Sequence, residues 1–275
     1  MLQDISPKKL DNHYSCDIKP DSDSIIFCFH GSEVVADENS DSIFPVFSDF
    51  GEPFETVYLF SVGKAKYFLA YGETPVPDGF SLIDIKKLRY SEKVEQESVF
   101  ELFTAYHLSQ WYNSSRFCGV CGMTTELYRK ERAVRCTGCG KIIYPRLNPA
   151  VIVGVTNGDK LLITRYAENR GVSYDALVAG FTEIGETLEE TVSREVMEEV
   201  GLKVKNIRYY KSQPWGFSGG ILAGFYCDVE GNDEIRLDRS ELSSAVWTER
   251  QNINGQPDDY SLTNEMMMSF RKHNV

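Results

Sequence analysis

GFTEIGETLEETVSREVMEEVGL, residues Gly180–Leu202, is the segment from which the rest of the chain can be read. From Thr187 onward it consists of strong helix formers without proline, with Thr187 as N-cap, Glu190 three residues later and Gly201 as the stop. On that helix Glu195, Glu198 and Glu199 lie at i, i+3 and i+4, so they share one face. Like charges at this spacing repel by about 0.2–0.5 kcal/mol per exposed pair, and by more when half-buried. A divalent cation against the cluster removes that cost, and hard cations such as magnesium take oxygen ligands and hold phosphates in their remaining positions. The plainer reading is a solvated acidic face, which is what most glutamate-rich helices are.

The wider pattern separates the two. Gly180, Glu186, Arg194, Glu195, Val196, Glu198, Glu199, Gly201 and Leu202 fill every defined position of the Nudix box, G-x5-E-x7-R-E-U-x-E-E-x-G-U with U aliphatic. This resemblance implies a loop–helix–loop that binds Mg2+ or Mn2+ and hydrolyses nucleoside diphosphates linked to another moiety. It also implies an ion pair between Glu186 and Arg194, one orienting the loop and the other the helix.

At 275 residues the chain can bury more than one core, and its 42% hydrophobic and 25% charged residues are ordinary for a globular protein. No apolar run reaches membrane-spanning length, and MLQDISPKKL at the start has no signal-peptide core, so no membrane partner and a cytoplasmic location are expected. A net charge of −12 argues against general nucleic-acid binding, although a bound cation can reverse the local field for a phosphate-bearing small molecule.

Residues 1–113 read as an N-terminal α/β domain. Ser24–His30, Val57–Val62 and Lys66–Tyr71 are expected strands, and Val99, Phe100, Phe103, Tyr106, His107 and Trp111 recur at helical spacing. His107 on that face reads as a packed histidine rather than a ligand. Residues 114–146 contain CGVC at Cys118–Cys121 and CTGC at Cys136–Cys139, two knuckles that together predict a closed four-thiolate structural zinc site, with Gly119, Gly122, Gly138 and Gly140 in the turns.

Residues 147–275 alternate strands with two helices, as an α/β/α sandwich requires: Val151–Val155, Lys160–Arg165, Ala176–Val178, Ile207–Lys211, Ile221–Val229 and Ser240–Trp247, then a helix from an N-cap at Ser261 to about Lys272. The expected fold class is thus α+β: a Nudix α/β/α sandwich preceded by a four-cysteine zinc ribbon and an N-terminal α/β domain.

Past the box the chain reads SQPW, Ser212–Trp215, then GFSGG. With the ribbon and the YPR segment at Tyr144–Arg146, this is similar to the NudC-type NADH pyrophosphatases of the Nudix superfamily, which carry SQPWPFPxS at that distance. The resemblance spans from about Arg89 to the C-terminus. It implies hydrolysis of NADH or NAD at the pyrophosphate to NMN(H) and AMP, removal of NAD caps from RNA 5′ ends, and a homodimer.

By position in the family pattern, Glu195, Glu199, Glu241 and the Ala179 carbonyl resemble the Mg/Mn ligands, and Glu198 completes the cluster. Glu199 and Glu241 are alternative bases. Tyr144 and Phe181 resemble an aromatic pair that sandwiches the nicotinamide, with ordinary packing as the alternative. Arg89, Glu131 and Thr263 stand at substrate-contacting positions, and Gln213, Pro214, Trp215, Gly216, Phe217, Ser218, Gly219 and Gly220 would line the pocket.

Where the family has PFPxS, the GFSGG run loses two prolines and a serine, and its glycines are expected to loosen the loop. That loss opens the alternative of a broader pyrophosphatase acting on ADP-ribose or dinucleoside polyphosphates. An alternative of another class is a zinc-ribbon nucleic-acid or protein adaptor with an inactive Nudix domain; the basic cluster Arg129, Lys130, Arg132 and Arg135 is modest, interrupted by Glu126 and Glu131 in an acidic chain, and the intact box glutamates also speak against it.

Overall fold

The structure is a computed structural model and describes residues 1–40, 42–52, 54–72, 76–167 and 174–274. Its elements in chain order are β1 (Leu10–Asp11), β2 (Ile25–Phe27), β3 (Phe29–His30), β4 (Glu33–Ala36), β5 (Glu55–Val62), β6 (Ala65–Tyr71), β7 (Ser81–Asp84), α1 (Ile85–Arg89), α2 (Gln96–Ser114), β8 (Thr125–Leu127), β9 (Val134–Cys136), β10 (Ile142–Ile143), β11 (Asn148–Asn157), β12 (Lys160–Tyr166), β13 (Val178–Phe181), α3 (Leu188–Val200), β14 (Val204–Trp215), β15 (Gly220–Val229), β16 (Leu242–Glu249) and α4 (Leu262–Arg271). They form two compact units: Asp4–Arg146 with Gly216–Gly219, and Met1–Gln3 with Leu147–Trp215 and Gly220–Val275. Among the described residues no helix is long and apolar enough to cross a membrane.

The unit that carries the box is built on a six-stranded sheet in the order β14-β15-β11-β12-β16, with β13 antiparallel to the first half of β11. β11 and β15 run parallel, and the other pairings are antiparallel. Period-2 alternation sorts the side chains between two cores. Val151, Val153 and Val155 of β11 join Phe225 and Cys227 of β15 beneath Val192, Val196 and Val200 of α3. Ile152, Leu161 and Tyr226 face the other way, onto Leu262, Met266 and Phe270 of α4. A helix on each face of the sheet is the α/β/α arrangement expected from the strand pattern.

Three expected strands extend further in the structure, among them Val151–Val155, which lies inside β11 at Asn148–Asn157. Ile207–Lys211 is the middle of β14, which runs on through Gln213 and Pro214 to Trp215, paired with β15. The third strand begins at Val178 rather than Ala176 and continues through Gly180 and Phe181, delivering the box directly from a strand end.

In the other unit, Ser24–His30 is not one strand. Ile25–Phe27 pairs in parallel with β6 in the sheet β1-β5-β6-β2, whereas Phe29–His30 belongs to the separate sheet β3-β4-β7. The chain changes sheet at Cys28, whose buried side chain packs with Ile26, Val35, Tyr58 and Phe68. α2 is buried on more than the stripe read from sequence, because Leu102, Ala105 and Tyr112 are also inside. His107 is half-buried, and its Nε2 donates to the carbonyl of Arg146 at 2.8 Å, so it packs and anchors rather than ligates.

α2 also buries a carboxyl, Glu101, which accepts a short hydrogen bond from the Tyr67 hydroxyl. Burial pushes Glu101 up to about 7, against the lowering effect of the Tyr67 bond. Because its ordinary value is 4.5, the folded chain keeps a proton there that the unfolded chain releases. Stability therefore falls as pH rises from about 4.5 to about 7. Glu101→Gln keeps an acceptor for Tyr67 and removes the buried charge. It should leave the melting temperature at pH 4.5 unchanged and raise stability at pH 8 by on the order of 2 kcal/mol, read by thermal scans at both pH values.

Candidate active site

The box helix begins as its sequence requires. The Thr187 hydroxyl accepts from the Glu190 N–H at 3.2 Å, and the Glu190 carboxylate accepts from the Thr187 N–H at 2.8 Å, a reciprocal capping box. Gly201 closes the helix in the left-handed conformation at φ 70°. The last carbonyls of α3, which have no partner within the helix, take N–H groups from the segment that follows β15. The Arg236 N–H donates to Val200 and the Asp238 N–H to Glu199, both at 2.9 Å. Asp238 then folds its own turn, accepting from the Ser240 N–H and hydroxyl. Glu241 follows directly, and its charge is among those that disfavour ionisation of Glu195.

The glutamates do not form a uniformly solvated face. Glu199 is 2% exposed and Glu195 9% exposed, whereas the Glu198 side chain is 59% exposed. Burial pushes the Glu195 carboxyl above its ordinary range; Arg194 pulls it back, and Glu198 and Glu241 push it further up. Gly180 makes room for this carboxylate, since a Cβ on it would lie 1.9–2.3 Å from the carboxylate atoms of Glu195. The glycine that opens the box is therefore needed for close approach between β13 and α3.

Arg194 holds the loop and the helix together. Its Nε and Nη2 donate to the two oxygens of Glu186 at 2.6 and 2.9 Å, and Nη2 also donates to the Phe181 carbonyl at 3.0 Å. The Arg194 pair, with the Glu183 N–H and the Thr191 hydroxyl, holds Glu186 down to about 2. Beyond the expected pair, Nη1 donates to Glu195 at 2.7 Å and to Glu198 at 2.9 Å. One guanidinium thus serves three carboxylates, and the oxygen-only donor set of Glu195, Glu198, Glu199 and Glu241 fits a hard divalent cation.

The ribbon cysteines converge, and they are the one such cluster of potential metal ligands among the described residues. The Sγ atoms of Cys118, Cys121, Cys136 and Cys139 all lie within 4.8 Å of one another, with Cys118–Cys139 at 3.7 Å and Cys121–Cys136 at 3.4 Å. These separations are far too long for disulfides, and Zn–S bonds of about 2.3 Å give a tetrahedral edge of about 3.8 Å. N–H groups of Cys139 and Gly138 hold the Cys136 thiol down to about 6, and those of Val120 and Cys121 lower Cys118. Of the four knuckle glycines only Gly122 and Gly140 need to be glycine for their backbone, at φ 73° and 74°. Gly119 and Gly138 do not have positive φ, and Gly138 is crowded by Met123 instead.

The remaining candidates divide between the units. In the unit with the box, Phe181 is exposed beside the loop, Ala179 is half-buried on β13, and Thr263 is half-buried in the first turn of α4. Pro214 is exposed, Trp215 half-buried and Gly220 buried at the start of β15. Gln213 departs from its expected role. It is fully buried, its Oε1 accepts the Leu262 N–H at 2.7 Å and its Nε2 donates to the Tyr260 carbonyl at 2.8 Å, so its amide is committed to the start of α4 instead of an open pocket.

In the other unit, Arg89 ends α1 with its guanidinium 4.8 Å from the Tyr90 ring, and the exposed Tyr144 hydroxyl donates to Glu131 at 2.8 Å. The GFSGG run is not loosened by its glycines. Gly216–Ser218 forms a 3-10 turn, and a Cβ on Gly216 would lie 2.0 Å from the Phe103 carbonyl oxygen. The Phe217 ring packs 5.6 Å from that of Phe103, with Lys86 over its face at 5.7 Å. Ser218 is exposed and Gly219 half-buried.

Sequence reading missed the Glu183 N–H and the Thr191 hydroxyl as supports of Glu186, and the Asp238–Ser240 turn that presents Glu241. The D-x-S spacing is a side-chain-capped turn signal and points to the latter.

The chain is similar to known proteins in two domain patterns. Residues 146–267 match the NUDIX domain and residues 113–144 the NADH pyrophosphatase zinc ribbon domain. The NAD-capped RNA hydrolase NudC of Actinobacillus succinogenes is 42% identical over 166 residues, covering 58% of this chain and 62% of that protein. The protein of the same name from Salmonella heidelberg is 34% identical over 210 residues, covering 67% of this chain and 81% of that protein. A solved NUDIX hydrolase from Nitrosomonas europaea is 20% identical with a TM-score of 0.48, covering 57% of this chain and 91% of that one. The chain spans between 53% and 62% of the length of the first five relatives. With both domain patterns in order and the Salmonella relative matched over four fifths of its length, the chain belongs to the NudC family of Nudix hydrolases.

Proposed function

We propose that this chain hydrolyses the pyrophosphate bond of NADH and NAD, giving NMN(H) and AMP, and that it removes NAD caps from RNA 5′ ends. The observation that carries the reading is the pair of buried carboxylates, Glu195 and Glu199, on a helix whose arginine is shared among three glutamates. Two buried acids beside exposed Glu198 and neighbouring Glu241 are poorly suited to a solvated acidic face. Glu195, Glu199, Glu241 and the Ala179 carbonyl would hold Mg2+ or Mn2+, which supplies positive charge against the diphosphate when bound.

In this reading Glu186 and Arg194 fix the loop against the helix, and Glu199 or Glu241 takes a proton from the attacking water. Water adds to one phosphorus as the bridging P–O bond breaks, and each nucleotide leaves with one phosphate. Tyr144 and Phe181 stack the nicotinamide, and Arg89, Glu131 and Thr263 contact the dinucleotide. One structural zinc sits in the four-cysteine site. Division into 1–113, 114–146 and 147–275, a cytoplasmic location and a homodimer are parts of the same proposal.

The names of the relatives support NAD(H) as the dinucleotide. The test is turnover by purified protein with Mn2+ of NADH, NAD, ADP-ribose, a dinucleoside polyphosphate and NAD-capped RNA, with products separated chromatographically. NMN-type product from NADH at kcat/KM at least tenfold above that for ADP-ribose is expected. Equal or better use of ADP-ribose would replace the reading with a broader pyrophosphatase. No turnover of any substrate by zinc-loaded protein would leave the adaptor.

A further inference from the structure

We infer that the zinc ribbon carries a binding surface for single-stranded RNA, one that holds the first nucleotides behind an NAD cap. The inference rests on the NAD-capped RNA part of the proposed function and assigns the contact to a particular face. Residues 114–146 contain seven arginines and lysines and two glutamates, a net +5 within a chain of net −12, so the other residues carry −17. Even the two net negative charges of a zinc tetrathiolate leave the ribbon positive.

The charge is displayed rather than used up in the fold. Arg116, Arg129, Lys130, Arg135, Lys141 and Arg146 are exposed, with the Arg116 guanidinium 4.8 Å from the Tyr71 ring, and Arg132 turns inward, donating to the Leu59 carbonyl at 2.6 Å. Arg129 meets Asp17 at 3.1 Å, but both are largely exposed, and such a pair exchanges readily for a phosphate. Glu126 lies opposite Arg135 in the β8–β9 register, and Glu131 accepts from Tyr144. Both ends of the ribbon thus stay basic: Arg116 and Lys141 toward the cysteines, Arg129 and Lys130 at the β8–β9 turn.

Apolar side chains accompany the charges. Phe117, Val120 and Met123 are 64%, 66% and 52% exposed. They are gathered on one knuckle, which is closed by the Cys118 N–H donating to the Met123 carbonyl at 2.8 Å. Large exposed apolar groups clustered this way mark an interaction surface. An aromatic face among basic residues is the composition that binds single strands, by stacking on bases and neutralising phosphates. The strongly acidic remainder of the chain repels a polyanion, which makes the ribbon the favourable place for it.

The test uses full-length, zinc-loaded protein without Mg2+ or Mn2+, so that nothing turns over. A single-stranded RNA of about ten nucleotides, labelled at its 3′ end, is titrated by fluorescence anisotropy across a range of KCl. The triple variant K130Q/R135Q/K141Q should bind at least tenfold more weakly at low salt, with the slope of log affinity against log salt reduced by about 2, at about 0.7 per lost charge. Phe117→Ala should weaken binding severalfold with the slope unchanged. Both variants should keep one zinc and wild-type kcat/KM on NADH, while their KM for NAD-capped RNA rises.

Wild-type RNA affinity in the triple variant would overturn the inference and leave NADH chemistry untouched. An acidic peptide of the same charge binding as tightly as RNA would also overturn it, in favour of a protein partner. Failure of the wild type on both NADH and NAD-capped RNA would instead sink the proposed function, and the anisotropy would still report on the surface.

Discussion

Glu199→Gln is expected to reduce hydrolysis of NADH by at least about 10³-fold while the protein stays folded and keeps its zinc. The side chain is 2% exposed, so glutamine fills the same space and the substitution opens no cavity. The main-chain bond from the Asp238 N–H to the Glu199 carbonyl does not depend on the side chain, so the turn that presents Glu241 stays in place. What changes is charge: a buried carboxylate that would hold a cation becomes a neutral amide. Removing a buried charge relieves desolvation, so the melting temperature should hold or rise. Glu198→Gln is the contrast. That side chain is 59% exposed and retains an oxygen for Arg194, so a loss of about tenfold is expected. Activity in Glu199→Gln within tenfold of wild type, by chromatography of NMN(H), would remove this residue from the reaction.

How much of this could be read from sequence depends on whether the determining interaction is local. The capping box at Thr187 and Glu190, the left-handed Gly201 and the Ser261 cap are set by residues within four positions, and each stands where it was expected. The two CxxC knuckles are likewise local turns, and their convergence to S–S distances of 3.4 and 3.7 Å follows from the β8–β9 hairpin between them.

Periodicity could not separate the burial of Glu199 from the exposure of Glu198. The same helical face carries both, and only the sheet beneath and the segment 236–241 beside it distinguish them. The break at Cys28 was hidden because SIIFCFH is apolar throughout and reads as one strand, whereas the neighbours that divide it, β6 and β4, lie elsewhere in sequence. Gln213 shows the same limit in the site. Its position after the box suggested a pocket, but its amide is claimed by the N-terminus of α4, 49 residues on. Gly216 reversed its expected effect for the same reason: a glycine reads as flexibility until the Phe103 carbonyl against it is known.

Cys136→Ser should release the zinc and unfold the ribbon. The strands β8, β9 and β10 have three, three and two residues, and their buried apolar side chains amount to little more than Ala133 and Val134. So small a module cannot offset the conformational entropy of its ordering without a cross-link. Metal binding of the order of 10 kcal/mol supplies that difference in small zinc domains. Cys136 is the most demanding position to lose. It is 2% exposed at the end of β9, takes N–H groups from Gly138 and Cys139, and its thiol is held down to about 6, poised as a thiolate. A serine hydroxyl stays protonated and is a poor zinc ligand. Zinc content should fall from one per chain toward zero, and amide protection should vanish from Thr125 to Ile143. Protection should also weaken around Leu59, whose carbonyl loses the Arg132 contact. Amides of β11 and β15 should keep wild-type protection, because their core is separate from the ribbon. A strong chelator acting on the wild type should reproduce the pattern. One zinc per chain and undiminished ribbon protection in Cys136→Ser would mean that the fold of this segment does not depend on the four thiolates.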